Sequence, residues 1–144
     1  MSYVRIWVHC VWTTYKRIPY LKEEIKEDVI FHIRENAVAK GIYIDHINGF
    51  NNHLHALVSL GAKQTISEVM QKIKGESSYW INKNRLTGLK FEWQDDFYSV
   101  SVGMAQMDNL RAYIRNQSQH HQKVTFQDEL DSLIEEYKFQ KMKD

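Results

Sequence analysis

Residues 53–60 read His-Leu-His-Ala-Leu-Val-Ser-Leu, and this run constrains the chain more than any other. Side chains of a β-strand alternate between its two faces. Laid out as a strand, Leu54, Ala56, Val58 and Leu60 form one continuous apolar face that must turn to a core. His53 and His55 then project together from the opposite face. Two residues apart along a strand is about 7 Å at Cα, close enough for both imidazoles to reach one cation. A His-x-His pair also arises by chance, so the strand makes these residues metal candidates and no more.

The flanking segments extend the pattern. Ile42 to Phe50 has strand character, and Asn51-Asn52 supplies a turn, so the two strands read as a hairpin. Tyr3 to Thr13, rich in β-branched and aromatic residues, reads as an earlier strand. Pro19 interrupts it. A helix follows from Lys22, with Leu21, Ile25, Val29, Ile33 and Ala37 recurring every four residues and Gly41 as its C-terminal cap. Ile66 to about Lys83 is the next helix, its buried stripe being Ile66, Val69, Met70, Ile73, Trp80 and Ile81. Phe91 to Val102 reads as a strand and Met107 to about Gln122 as a helix. Thr125 opens a last helix with Asp128 at the capping position and Leu130, Leu133, Ile134 and Tyr137 inward.

The resulting β-α-β-β-α-β order is that of the ferredoxin-like α+β fold, an antiparallel sheet with helices on one face, followed here by C-terminal helices. One sheet face would then be left for a ligand or a partner subunit. At 144 residues the whole chain, 1–144, is expected to form one domain. Its single Cys10 cannot form an internal disulfide. No segment approaches a membrane span, which makes a cytoplasmic protein without membrane contact the expectation.

The net charge of +1 argues neither for nor against nucleic acid, but its distribution is uneven. Lys63, Lys72, Lys74, Lys83, Arg85 and Lys90 face only Glu68 and Glu76 between positions 63 and 90. Beyond Val124 the acids Asp128, Glu129, Asp131, Glu135, Glu136 and Asp144 outnumber Lys138, Lys141 and Lys143. Such separation suits either a phosphate-binding face or a solvated helix. Trp12, Trp93 and Phe97 suit either base stacking or a core, with core the simpler reading.

Tyr113 and Gln117 stand four residues apart on the helix predicted from Met107, which places them one turn apart on one face. Taken alone, a tyrosine between Leu110 and Ile114 reads as a half-buried core residue. His120 and His121 follow closely.

Several motifs together carry a resemblance. His9-Cys10-Val11-Trp12-Thr13-Thr14, Asn48-Gly49 before His53-Leu54-His55, Lys74-Gly75-Glu76-Ser77-Ser78 and Trp93-Gln94-Asp95-Asp96-Phe97 run in that order. The block Tyr113-Ile114-Arg115-Asn116-Gln117 through His120-His121, then Phe126-Gln127-Asp128-Glu129-Leu130, is the most specific of them. In these motifs the chain resembles the single-tyrosine transposases of the insertion-sequence 200/605 group, within the His-hydrophobe-His endonuclease superfamily. One departure is Asn51-Asn52, where many relatives carry Pro-Asp, and it bears on the loop geometry beside His53.

The resemblance implies a DNA transposase that cuts and rejoins single-stranded DNA at hairpin-containing ends. It implies Tyr113 as nucleophile, through a 5′-phosphotyrosine, and a divalent ion, Mg²⁺ or Mn²⁺, held by His53, His55 and Gln117. A homodimer with composite active sites is implied as well. Lys72, Lys74, Arg111 and Arg115 are candidates for backbone contacts, and His120 and His121 for phosphate or supporting contacts. Three alternatives stay open. One is a domesticated relative processing repeated palindromes by the same chemistry. The others are a non-catalytic nucleic-acid-binding module on a ferredoxin-like sheet and a replication or conjugation initiator.

Overall fold

The computed structural model describes residues 1–142; Lys143 and Asp144, which close the acidic tail, lie outside them. Four strands form one antiparallel sheet: β1 (Ile6–Thr13), β2 (Tyr43–Phe50), β3 (His53–Leu60) and β4 (Tyr98–Ser101). Their order is β2-β3-β1-β4, the ferredoxin-like arrangement expected from the sequence. The helices are α1 (Glu23–Ala39), α2 (Ile66–Lys83), α3 (Met107–Arg115), the short α4 (Gln117–His120) and α5 (Phe126–Tyr137).

The alternation in β3 is obeyed residue by residue. Leu54, Ala56 and Val58 join Val8, Cys10 and Trp12 of β1 in the main core, beneath Val29, Ile33 and Ala37 of α1 and Val69, Met70, Ile73 and Ile81 of α2. Gly41 follows α1 with φ +70°, a left-handed conformation that glycine adopts without steric cost. The tight turn between β2 and β3 depends on Gly49. A Cβ there would lie 2.0 Å from the His53 carbonyl oxygen, so only glycine lets the two strands approach. Thr65 caps α2 by accepting from the Glu68 amide, and Thr125 caps α5 by accepting from the Asp128 amide.

The structure corrects four expectations. The first strand begins at Ile6, not Tyr3, because its partner β3 ends at Leu60 opposite Ile6 and nothing remains to pair. The strand expected from Phe91 to Val102 shrinks to Tyr98–Ser101. Upstream, Lys74 Nζ donates to the carbonyls of Asp95 and Asp96 at 2.8 and 3.3 Å, turning that backbone toward α2. Only Trp93 keeps a bridge, to Thr14. The helix expected to run to Gln122 breaks at Asn116 (φ −96°, ψ 19°), where Asn48 Nδ2 donates to the Arg115 carbonyl at 3.0 Å. Finally, the sheet's second face is not left open. Met107, Leu110 and Ile114 of α3 pack on Trp7 and Leu57, and Phe126, Leu130 and Leu133 of α5 pack around Val11.

Candidate active site

Those two apolar patches leave a polar gap in the middle of the covered face, and His53, His55 and His9 point into it. Both strand histidines are completely buried, so they face away from the main core without facing solvent. His53 Nδ1 lies 2.9 Å from Asn52 Oδ1, the residue at the departure noted in the turn. A side-chain carbonyl there accepts from Nδ1–H and leaves the Nε2 lone pair directed inward. His55 Nδ1 lies 2.9 Å from His9 Nε2, and His9 Nδ1 lies 3.2 Å from the Tyr137 hydroxyl. This relay orients His55 in the same sense. Burial, then the neighbouring His55, pushes His9 down to about 3; burial foremost takes His53 to about 4.

The α3–α4 break delivers the other two members. Gln117 is fully buried, with Oε1 3.0 Å from His53 Nε2. Its neighbour Ser118 is held by Lys26 of α1, a buried lysine whose Nζ also donates to the Gly49 carbonyl at 3.2 Å. Tyr113 is half-buried one turn earlier, its ring edge-on to His55 with centroids 5.5 Å apart. An open cleft between α3 and α5, lined by Leu110, Tyr113, His120, Leu133 and Tyr137, leads to it.

Glu129 of α5 is the hub that the sequence reading did not single out. It is 2% exposed. Its Oε1 lies 3.2 Å from both His53 Nε2 and His55 Nε2 and 2.9 Å from His121 Nε2. Gln117 Nε2 donates to Oε2 at 2.9 Å, and the Tyr113 hydroxyl donates to the same oxygen. Burial works to raise the Glu129 carboxyl, but the three imidazoles outweigh it and hold it well below the carboxylate range. Burial and the Glu129 charge together push the Tyr113 phenol above its ordinary value. A signal for Glu129 was present. Phe126, Glu129, Leu130, Leu133 and Tyr137 fall on one helical stripe, so the acid sits among the inward residues, while Ile134, expected inside, is exposed.

The remaining candidates divide. His121 belongs to the site and also bonds the Val124 carbonyl through Nδ1 at 2.8 Å. His120 stands edge-on to Tyr113, its Nε2 3.4 Å from Glu129 Oε2. Arg111 makes a two-pronged ion pair with Asp45 of β2, at 2.9 and 3.1 Å, and Arg115 donates to His46 at 3.0 Å. Both arginines therefore tie α3 to its own sheet. Lys72 and Lys74 lie on α2, across the sheet from Tyr113. Trp12 and Trp93 are core residues, and Phe97 packs against them.

The donors at the centre suit a divalent cation. His53 Nε2, His55 Nε2 and a Glu129 oxygen lie within 4.8 Å of one another, and imidazole, amide oxygen and carboxylate are ordinary ligands for such ions. This buried set stands directly beside the Tyr113 hydroxyl.

Comparison with known proteins gives the family. The profile described as "Transposase IS200 like" matches residues 2–117, and the chain belongs to that family. Two solved structures share the fold. A crystal structure at 1.90 Å resolution, described as that of "a putative transposase from deinococcus radiodurans r1", superposes with a TM-score of 0.64 at 19% identity, covering 81% of this chain and 95% of the other. A REP-associated tyrosine transposase bound to a REP hairpin gives 0.62 at 18% identity, covering 86% and 73%. No curated protein matches in sequence. No helix among the described residues is long and apolar enough to cross a membrane.

Proposed function

We propose that this chain cleaves and rejoins single-stranded DNA at hairpin-containing ends, with Tyr113 as nucleophile and His53, His55 and Gln117 holding Mg²⁺ or Mn²⁺. The observation that carries this reading is the meeting of Tyr113 with the buried strand histidines in one site. A bound divalent ion supplies positive charge that polarises the scissile phosphate and steadies charge in the transition state.

The chain's own residues do the rest. Asn52 and His9 fix the two imidazoles with their Nε2 atoms inward. The α3–α4 break brings Gln117 to the same point, and the cleft beside Tyr113 admits a strand. As Tyr113 Oη bonds to phosphorus, the bond from phosphorus to the upstream 3′-oxygen breaks. The products are a 5′-phosphotyrosine and a 3′-hydroxyl. The phenol gives up one proton and the leaving oxygen gains one, so protons balance. One phosphodiester replaces another, and resealing by the reverse attack needs no ATP.

A folded DNA substrate is supported by the hairpin in the solved relative. A palindrome-processing role outside a mobile element would use the same chemistry. A binding module on an open sheet fits poorly, because α3, α4 and α5 cover the face that bases would stack on. The site works within one chain in this reading. In the composite homodimer implied by the resemblance, α3 of a second copy would make these same contacts with Asp45, Trp7 and Leu57.

The test is incubation with a hairpin-bearing single strand and Mn²⁺, followed by a denaturing gel. The parent is expected to form a covalent protein–DNA adduct, and Tyr113→Phe and His55→Ala to form none. Adduct formation by Tyr113→Phe would remove the nucleophile assignment. Binding without cutting under either ion would leave the chain a binding module.

A further inference from the structure

Glu129 lies outside residues 2–117, the stretch that matches the family, and no role follows for it from the resemblance. Yet it is the only carboxylate among the described residues within reach of both strand histidines. Hydrogen-bond accounting says what its surroundings lack. His53 commits Nδ1 to Asn52 Oδ1, and His121 commits Nδ1 to the Val124 carbonyl. A neutral imidazole has one N–H and one lone pair. When those two rings are neutral, the His53 and His121 Nε2 atoms beside Glu129 Oε1 are lone-pair atoms, and Gln117 Oε1 beside His53 is also an acceptor. Acceptors packed against acceptors in a buried site are steadied by a positive charge among them.

We propose that Glu129 is the anionic ligand of the divalent ion, with Oε1 facing the metal beside His53 and His55 and Oε2 seating the Tyr113 hydroxyl. This rests on the metal reading of His53 and His55 given above. It changes the chemistry of the site. Two imidazoles and an amide form a neutral, nitrogen-rich set, whereas a carboxylate adds the hard, charged oxygen that Mg²⁺ and Mn²⁺ prefer. It also places ligand and nucleophile on the two oxygens of one side chain. The ion and the tyrosine are thus set relative to each other by a single rigid group on α5.

The experiment is Mn²⁺ titration followed by the loss of the free-ion EPR signal, with far-UV circular dichroism confirming that each variant is folded. The parent is expected to bind, Glu129→Gln to bind at least about tenfold more weakly, and Glu129→Asp to recover part of the loss. Tyr113→Phe, which removes the hydroxyl seated on Oε2 and leaves Oε1 untouched, is expected to keep the parent's affinity. If Glu129→Gln binds as the parent does while His55→Ala does not, the metal site stands and this proposal falls. If Tyr113→Phe weakens binding as much as Glu129→Gln, the loss reports a disturbed network and the proposal falls. If the parent binds no Mn²⁺, the metal reading fails and takes the proposal with it. A measurement on the unmodified sequence covers a variant that does not fold. With glutamate labelled at its carboxylate by ¹³C, pulsed EPR of the Mn²⁺ complex should show strong hyperfine coupling to one carboxylate. Its absence overturns the assignment.

Discussion

The two faces of the β1–β3 pair differ in everything except their backbone. One face carries Val8, Cys10, Trp12, Leu54, Ala56 and Val58, sealed by α1 and α2. The other, reached by a shift of one residue along each strand, carries His9, His53 and His55 under α3, α4 and α5. Both faces are buried, so exposure does not separate structure from chemistry here. What separates them is whether the covering elements bring apolar or polar groups. On the second face Leu110, Ile114, Leu130 and Leu133 anchor the covering helices on both sides of the gap, and Tyr113, Gln117 and Glu129 fill it. The apolar patches act as the frame around a buried polar centre whose groups are packed against one another.

The sharpest way to break this comparison is to exchange the consequences of mutation on the two faces. Tyr113→Phe is expected to abolish the DNA adduct completely while leaving thermal stability close to the parent's. Mixing Tyr113→Phe with His55→Ala extends the test. With both groups in one chain, the mixture stays inactive; restored cleavage would mean that α3 is exchanged between two copies. Leu54→Ala, on the apolar face, is expected to cost about 2–5 kcal/mol of stability by leaving a cavity. Thermal melts check this, and the residual folded fraction should still form adduct.

Asn52→Ala sharpens the comparison at finer scale. It removes the acceptor on His53 Nδ1, and Mn²⁺ affinity is expected to fall about tenfold, measured by titration. The smallest effect concerns pH. His9 and His53 are neutral in the fold down to about 3 and 4, whereas the unfolded chain takes up protons from about 6.5. Between those values the unfolded state binds more protons, so stability falls as pH drops from 6.5 toward 4. The melting temperature should decline across that range, and His9→Gln should flatten the decline.

The sequence carried the first face almost whole. Alternation in β3, the four-residue spacing in α1 and the capped start of α2 specify those elements locally, and the sheet order follows from their sequence. His53 and His55 were legible as metal candidates from the same alternation, whereas Tyr113 and Gln117 stood out through their four-residue spacing together with the resemblance. Two things were not. The break at Asn116 depends on Asn48, far away in sequence, whose amide takes the Arg115 carbonyl. Glu129 stood in the motif block without a role, because helical period marks apolar residues as inward and passes over a charge between them. Its meaning depends on three histidines from β3 and the α4 end, which only the folded chain assembles. Arg111 and Arg115 carry contacts that their sequence position did not reveal. Their position beside Tyr113 suggested phosphate contacts, but Asp45 and His46 of β2 engage them.

The central claim is that the covered face is a catalytic site whose nucleophile is Tyr113. The most direct test is to trap the adduct formed on a hairpin-bearing strand in Mn²⁺, digest it, and locate the attached nucleotide by peptide mass mapping. The expected result is a nucleotide on the peptide containing Tyr113, joined through the 5′ phosphate of the fragment downstream of the cut. A nucleotide on any other residue, or a cleaved strand with no protein attached, would contradict it.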